Sequence, residues 1–391
     1  MNQNEALRPQ FDRALRAALI VGILGLSTTF LGSARNPTQF FRSYLFAYLF
    51  WIGVPLGCMA ILMLHHLTGG RWGVPIRRVA EAGSRTFLLM AVLFVPIWLG
   101  LSRLFLWAQP EAVAADPILQ YKRPYLNPSF FTIRAAIYFA IWVSLAYLLS
   151  KWSQEQDDTG NPQLAARFEG LSAPGLILYG LTVTFASVDW VMSLEPHWFS
   201  TIYGMLFMVI EALTAMAFMI LVARLLAESE PVASAASPAQ WNDLGNLLFA
   251  FVMLWAYLSF SQFLIIWATN LKDEIPWYVS RASGGWGAIA IVLVILHFTI
   301  PFLLLLSRDV KRRKGVLATL AGALIVISFV DLYWLVVPAF EPGGPRIHPM
   351  DLTAPLGIGG LWVAAFLWQL KKRPLVPLHA ADMEEAVEHG D

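Results

Sequence analysis

The chain has 391 residues, 58% of them hydrophobic and only 14% charged, with mean hydropathy +0.60 and formal net charge +1; an ordinary soluble domain carries about 25% charged residues. Such a composition reads as a polytopic membrane protein, and without a basic field or a long acidic tail it argues against a nucleic-acid partner or a charged interaction arm. The single cysteine, Cys58, excludes an intramolecular disulfide or a cysteine-ligated iron–sulfur cluster within this chain.

A bilayer core of roughly 30 Å takes about 20 apolar residues per helical span. Ten runs qualify, at about 14–32, 44–67, 84–107, 130–150, 174–194, 200–226, 241–269, 285–307, 315–340 and 355–371. Span 1 follows Arg8, Arg13 and Arg16 and is not followed by a small-residue cleavage site, so it is expected to stay as a helix. Spans 2 and 3 carry Pro55 and Pro96. Only Glu195 to Phe199 join spans 5 and 6, which predicts a tight hairpin, SVDWVMSLEPHWFS (187–200). Span 10 is short, and the stretch from Pro374 to Asp391 is polar and predicted to be disordered or partner-bound. Every run is long and rich in Leu, Val and aromatics rather than alternating, so the fold class expected is all-α, not a barrel.

Eighteen of the 27 Lys and Arg residues fall in the loops of one side and seven in those of the other, with Arg103 and Arg134 inside spans. The positive-inside rule then puts both termini in the cytoplasm and the 187–200 hairpin at the outer surface. Spans 2 to 5 laid over spans 6 to 9 show a faint repeat: FASVDWVMSLEP (185–196) and SFVDLYWLVVPAFEP (328–342) share Val-Asp, a nearby Trp and a terminal Glu-Pro. A shift of four spans preserves orientation, so two four-helix bundles related by an axis along the membrane normal are expected, with spans 1 and 10 outside them. The segments are 1–43 with peripheral helix 1, a first bundle 44–195, a second 196–345, and 346–391 with peripheral helix 10.

Ionisable residues inside spans are costly and mark functional candidates. Glu211 and His297 come out about 11 or 12 residues deep, Asp331 about nine and Asp189 about one and a half turns below the outer end. Asp189, Glu211, His297 and Asp331 are candidates for a proton relay between midplane and outer surface. For Asp189 an alternative stays open, an ion-pair anchor with Arg134 or Arg103, and His297 also reads as a hydrogen-bonded packing residue. Gln262, Ser259 and Ser261 add polar atoms to span 7. Bis-histidine haem would need a partner facing His297, and His65 and His66 lie at the far end of span 2. A quinone headgroup needs only one or two hydrogen-bonding side chains in an aromatic slot, which an aromatic-rich chain offers in many places. The outer loops, including Glu195, His197 and Trp198 and then Lys272, Asp273 and Glu274, are rich in Pro, aromatics and charge. They suit docking of a peripheral protein, or else a lid packed on itself.

The hairpin SVDWVMSLEPHWFSTIYG (187–204), FMVIEALTAM around Glu211, and WATNLKDEIPWYVSR (267–281) resemble the ActF-type, NrfD-like membrane subunits of bacterial alternative complex III, a quinol:electron-acceptor oxidoreductase. The likeness covers most of spans 2 to 9. It implies two four-helix bundles plus peripheral helices in the bacterial inner membrane, and partners comprising an iron–sulfur protein, a c-type haem protein and the paralogous ActC subunit. It further implies a respiratory or photosynthetic chain in which this subunit supports assembly and proton translocation, not catalytic alone, with no metal or covalent cofactor and with menaquinone, another quinone or lipid in a membrane pocket. A secondary transporter is the alternative from another class, although no midplane Gly/Pro interruption recurs in both halves.

Overall fold

The computed structural model describes residues 7–229 and 232–377, and these form helices joined by short loops, with no strand among them. The last fourteen residues, on which much of the predicted polar tail falls, lie outside the described residues; before them, Leu375 and Val376 are buried. The protein is a multi-pass, all-α membrane protein with ten helical segments long and apolar enough to cross a bilayer. These are span 1 (Arg8–Ser33), span 2 (Pro37–Thr68), span 3 (Arg77–Leu99), span 4 (Pro128–Thr159) and span 5 (Leu164–Leu194), then span 6 (Tyr203–Leu226), span 7 (Pro238–Thr269), span 8 (Trp286–Leu306), span 9 (Lys314–Ala339) and span 10 (Met350–Leu370).

Three of the longest spans begin with the same local device. Asn36, Asn127 and Ser237 each stand before a proline at the first helical position, where the missing N–H costs nothing and φ is already helical. The Asn36 and Asn127 side chains accept from the amides of Gln39 and Phe130 at 3.1 and 2.9 Å, and Ser237 forms a capping box with Gln240. Spans 2, 4 and 7 therefore start before the apolar runs do, by about seven, two and three residues, and spans 4 and 5 extend on the other side into polar sequence. Span 3 carries more than the single kink expected at Pro96: it is divided into Arg77–Ser84, Phe87–Leu93 and Val95–Leu99, whereas Pro55 leaves span 2 one helix. Pro96 contributes, since it cannot donate to a carbonyl one turn back.

Span 2 packs against spans 3, 5, 6 and 10, and span 6 against spans 2, 5, 7 and 9. Spans 2 to 5 thus pack with one another and spans 6 to 9 likewise, around one continuous hydrophobic core, and the two groups meet along spans 2 and 6, the two most buried spans. The contact is close because Gly57 lies against span 6; a Cβ there would come 2.2 Å from the carbonyl oxygen of Glu211. Span 1 touches the rest mainly through span 10, which packs on span 2.

At the basic end, Glu81 is buried among Arg77, Arg78 and Ser153, with Arg78 also paired to Asp157. At the opposite end, which carries the 195–202 hairpin, the Glu-Pro tip of each half reaches an arginine of the other. Glu195 pairs with Arg281 at 2.6 Å and Glu341 with Arg42 at 3.0 Å.

Candidate functional site

Asp189 is fully buried near the end of span 5 and meets Arg134 of span 4 side-on, Nε to Oδ2 and Nη2 to Oδ1 both at 2.8 Å; the Tyr138 hydroxyl donates to Oδ2 at 2.8 Å. The guanidinium is further held by the Tyr125 carbonyl at 2.9 Å and by the ring faces of Tyr125 and Phe130, 3.9 and 4.4 Å from its centre. A bidentate pair with a permanent cation and a third donor fixes a charge at this position. The arrangement is that of an anchor. Arg103, the other cation considered for it, is exposed.

Glu211 and Asp331 have different surroundings. Glu211, buried where spans 2, 5 and 6 meet, receives one hydrogen bond, from the Tyr179 hydroxyl at 3.0 Å. Asp331 receives one from the indole N–H of Trp255 at 2.9 Å. His297 lies beside it with Nδ1 3.7 Å from Asp331 Oδ2, too far for a hydrogen bond. Its Nε2 is 3.3 Å from Ser328 Oγ, and its ring stands 4.1 Å from that of Trp255. His297 Nδ1 has no hydrogen-bond partner among the described residues. With only neutral donors around them, these two carboxyl groups can exchange a proton without dismantling an ion pair. Tyr179 and Asp189 are ten residues apart on span 5, about 15 Å of helix rise, and no direct hydrogen bond links the Asp189, Glu211 and Asp331 groups among the described residues.

His297 is placed by an irregularity in span 8, a π-helical segment at Val294–Thr299 followed by Pro301. Proline has no N–H for the carbonyl of His297 four residues earlier, so the chain there follows wider hydrogen bonding. The extra residue turns His297 inward, fully buried, while Ile295 and Leu296 stay outside.

Trp255 and Asp331 open on a cleft of about 830 Å³ between spans 7, 8 and 9, roofed by the short helix Ile275–Ala282. Its walls are almost wholly apolar, including Phe260, Phe263 and Leu293, and its polar points are Asp331, Gln262, Ser259, Tyr278 and Arg281. Gln262, buried, accepts from the Ser200 hydroxyl at 3.0 Å and points its amide N–H toward the Tyr278 oxygen at 3.4 Å. Burial pushes the Tyr278 phenol up to about 12, so it remains a hydroxyl. Arg281, buried over the Trp277 ring at 3.8 Å, is held by Glu195 and by the Leu335 carbonyl at 2.7 Å. Volume, apolar lining and a few convergent polar groups suit a long-chain amphiphile with a hydrogen-bonding head.

The loop residues divide. Glu195 is tied to Arg281, and Trp198 is buried and stacked on Trp277 at 4.6 Å, so the hairpin closes over the second bundle as a lid. His197 is exposed, though its Nε2 meets Asp116 at 2.6 Å; Lys272 and Asp273 are exposed and Glu274 is half-buried. Trp255, Tyr179 and Tyr138, which hold the buried carboxylates, give no separate signal in a chain with 16 Trp and 11 Tyr. Arg281 was visible only as one loop charge among several. Among the described residues no three His, Cys, Asp or Glu side chains gather as metal ligands would. Neither the protein-family models nor the curated proteins contain a match to this chain.

Proposed function

We propose that this chain is a membrane subunit of a quinol-oxidising electron-transfer complex of the alternative complex III type, in the bacterial inner membrane, supporting assembly and conducting protons without a redox metal of its own. The observation that carries the reading is the Asp331 and His297 pair, buried side by side, with Asp331 receiving a neutral indole N–H and lining an apolar cleft. A relay needs groups that gain and lose a proton in place, and Asp331, His297 and Glu211 have surroundings that permit it. Asp189 takes the role of anchor, held by Arg134. The cleft takes the hydrocarbon tail and head of a quinone or a lipid, with Gln262, Tyr278 and Arg281 as the polar contacts. The Arg- and Lys-rich end faces the cytoplasm, which puts the 195–202 lid and the exposed Lys272 and Asp273 where peripheral iron–sulfur and c-type haem subunits dock.

The test is purification followed by two variants. The protein is expected to co-elute with haem- and iron–sulfur-bearing partners; elution alone or as a homo-oligomer favours a secondary transporter. Asp331→Asn and Glu211→Gln are each expected to leave assembly intact while lowering proton translocation coupled to quinol oxidation by tenfold or more, in line with the loss of a positioned proton carrier, about 10²-fold. Unchanged translocation removes the residue from the route.

A further inference from the structure

At the basic end a second cavity, of about 340 Å³, opens between spans 3, 4 and 10. Three cations line it, Arg85, Lys151 and Arg373, and no carboxylate does. Of the nearby acids, Glu81 is held by Arg77 and Arg78 and also lies 3.7 Å from Arg373 Nη1; Asp157 takes Arg78, and Glu155 leans toward Arg167 at 3.8 Å. Neither Arg85 nor Lys151 forms an ion pair among the described residues, and Arg373 donates to the carbonyl and hydroxyl of Ser150 at 2.7 and 3.0 Å. Burial lowers the tendency of the Arg373 guanidinium to stay charged and Arg78 adds repulsion, while Glu81, Asp157 and Asp158 oppose that shift.

The remaining wall has a direction. Ser84, Ser150 and Gln154 supply neutral polar groups beside the cations, while Phe87, Leu88, Val143 and Tyr147 continue away from them as apolar surface. Leu88 and Tyr147 are 67% and 62% exposed on spans 3 and 4, facing where acyl chains run. Positive charge at a helix junction on the basic end, grading into an apolar groove, is complementary to one amphiphile: an acidic headgroup on hydrocarbon chains.

We propose that this cavity binds an anionic glycerophospholipid of the leaflet at the basic end, its phosphate between Arg85, Lys151 and Arg373 and its chains along Leu88 and Tyr147. The lipid would tie span 10 to spans 3 and 4, since Arg373 follows span 10 directly.

The full-length protein, purified in detergent with whatever subunits accompany it and stripped of lipid, is titrated with phosphatidylglycerol, with phosphatidylcholine of the same chains and with inorganic phosphate, and retained ligand is read by native mass spectrometry. One phosphatidylglycerol is expected to be held in preference to phosphatidylcholine. In Arg85→Gln/Lys151→Gln its affinity is expected to fall on the order of thirtyfold, each basic side chain near an anionic lipid being worth roughly a factor of five. Should the double variant not fold, Lys151→Gln alone, at an exposed position, carries the comparison with about a fivefold loss. Equal retention of phosphatidylcholine, unchanged affinity in the variants, or inorganic phosphate competing as well as the lipid overturns the proposal, the last by assigning the site to a free anion.

Discussion

Asp189 and Asp331 follow valine at corresponding places in spans 5 and 9, yet one meets a guanidinium and the other an indole. Removing one partner of a buried ion pair typically costs about 3–5 kcal/mol, because the other is left uncompensated. Asp189→Asn is accordingly expected to lower thermal stability in detergent by an amount of that order. Asp331→Asn keeps an acceptor for Trp255 and is expected to stay within about 1 kcal/mol of the parent. Equal stabilities for the two variants would contradict the anchor assigned to Asp189. Outside the spans, burial works against the charge on Asp116, but the amides of Ile118 and Leu119 and the His197 ring outweigh it and hold the carboxyl below its ordinary range. A carboxyl lowered on folding contributes stability above its unfolded value, near 4, and loses it as pH falls through the lower folded value. Below about pH 4, the protection of the Ile118 and Leu119 amides against hydrogen exchange, relative to their unstructured rates at the same pH, is expected to fall, and in Asp116→Asn that dependence should vanish. The charged candidates were legible because few ionisable residues interrupt the apolar runs. Which of them would be locked was not, since Arg134 and Arg103 both sit near the outer ends of their helices and only packing decides that Arg134 turns inward.

Among the helical elements, spans 1 and 10 meet backbone to backbone through glycines on both sides. A Cβ on Gly25 would lie 2.6 Å from the Gly357 amide nitrogen, and one on Gly360 2.3 Å from the Gly22 nitrogen; Thr29 and Thr353 share a hydrogen bond at 2.8 Å. Small residues let membrane helices meet backbone to backbone, where dispersion and weak polar contacts replace the hydrophobic drive. Gly357→Val forces the pair apart and is expected to cost about 1–3 kcal/mol, as overpacking does. It should also expose span 1 to added protease in detergent, and an unchanged digestion pattern would show that span 1 is held by something else. Hydropathy located every span, but it set the starts of spans 2, 4 and 7 too late. The Asn-Pro and Ser-Pro starts at 36, 127 and 237 were readable as caps, yet an apolar-run criterion passes over polar turns beyond the hydrocarbon. The π segment around His297 follows from Pro301 only in company with the packing that keeps the helix intact instead of breaking it.

For the whole molecule, the charge asymmetry predicts sidedness that labelling can check. Cys58 is the single cysteine and is buried, so a membrane-impermeant maleimide applied to intact cells reports on introduced thiols. Lys272→Cys is expected to react and Lys151→Cys to stay unlabelled until the membrane is opened, both positions being exposed. The reverse pattern inverts the orientation and, with it, the leaflet assigned to the basic cavity. The two Glu-Pro tips each cross to an arginine of the other half, a reciprocity that the faint repeat anticipates in position but not in partner.

By itself the sequence determined that the chain is helical and carries ten segments long and apolar enough to cross a bilayer, because in hydrocarbon a backbone must satisfy its own hydrogen bonds and a span needs a set length of apolar residues. Those are properties of consecutive residues. The tertiary structure alone decided that Asp189 is clamped while Asp331 and Glu211 keep only neutral donors, and that one cavity is rimmed by cations and another by aromatics. Partner choice for a buried charge depends on which helix faces turn together, and that is set by close packing between segments far apart in the chain.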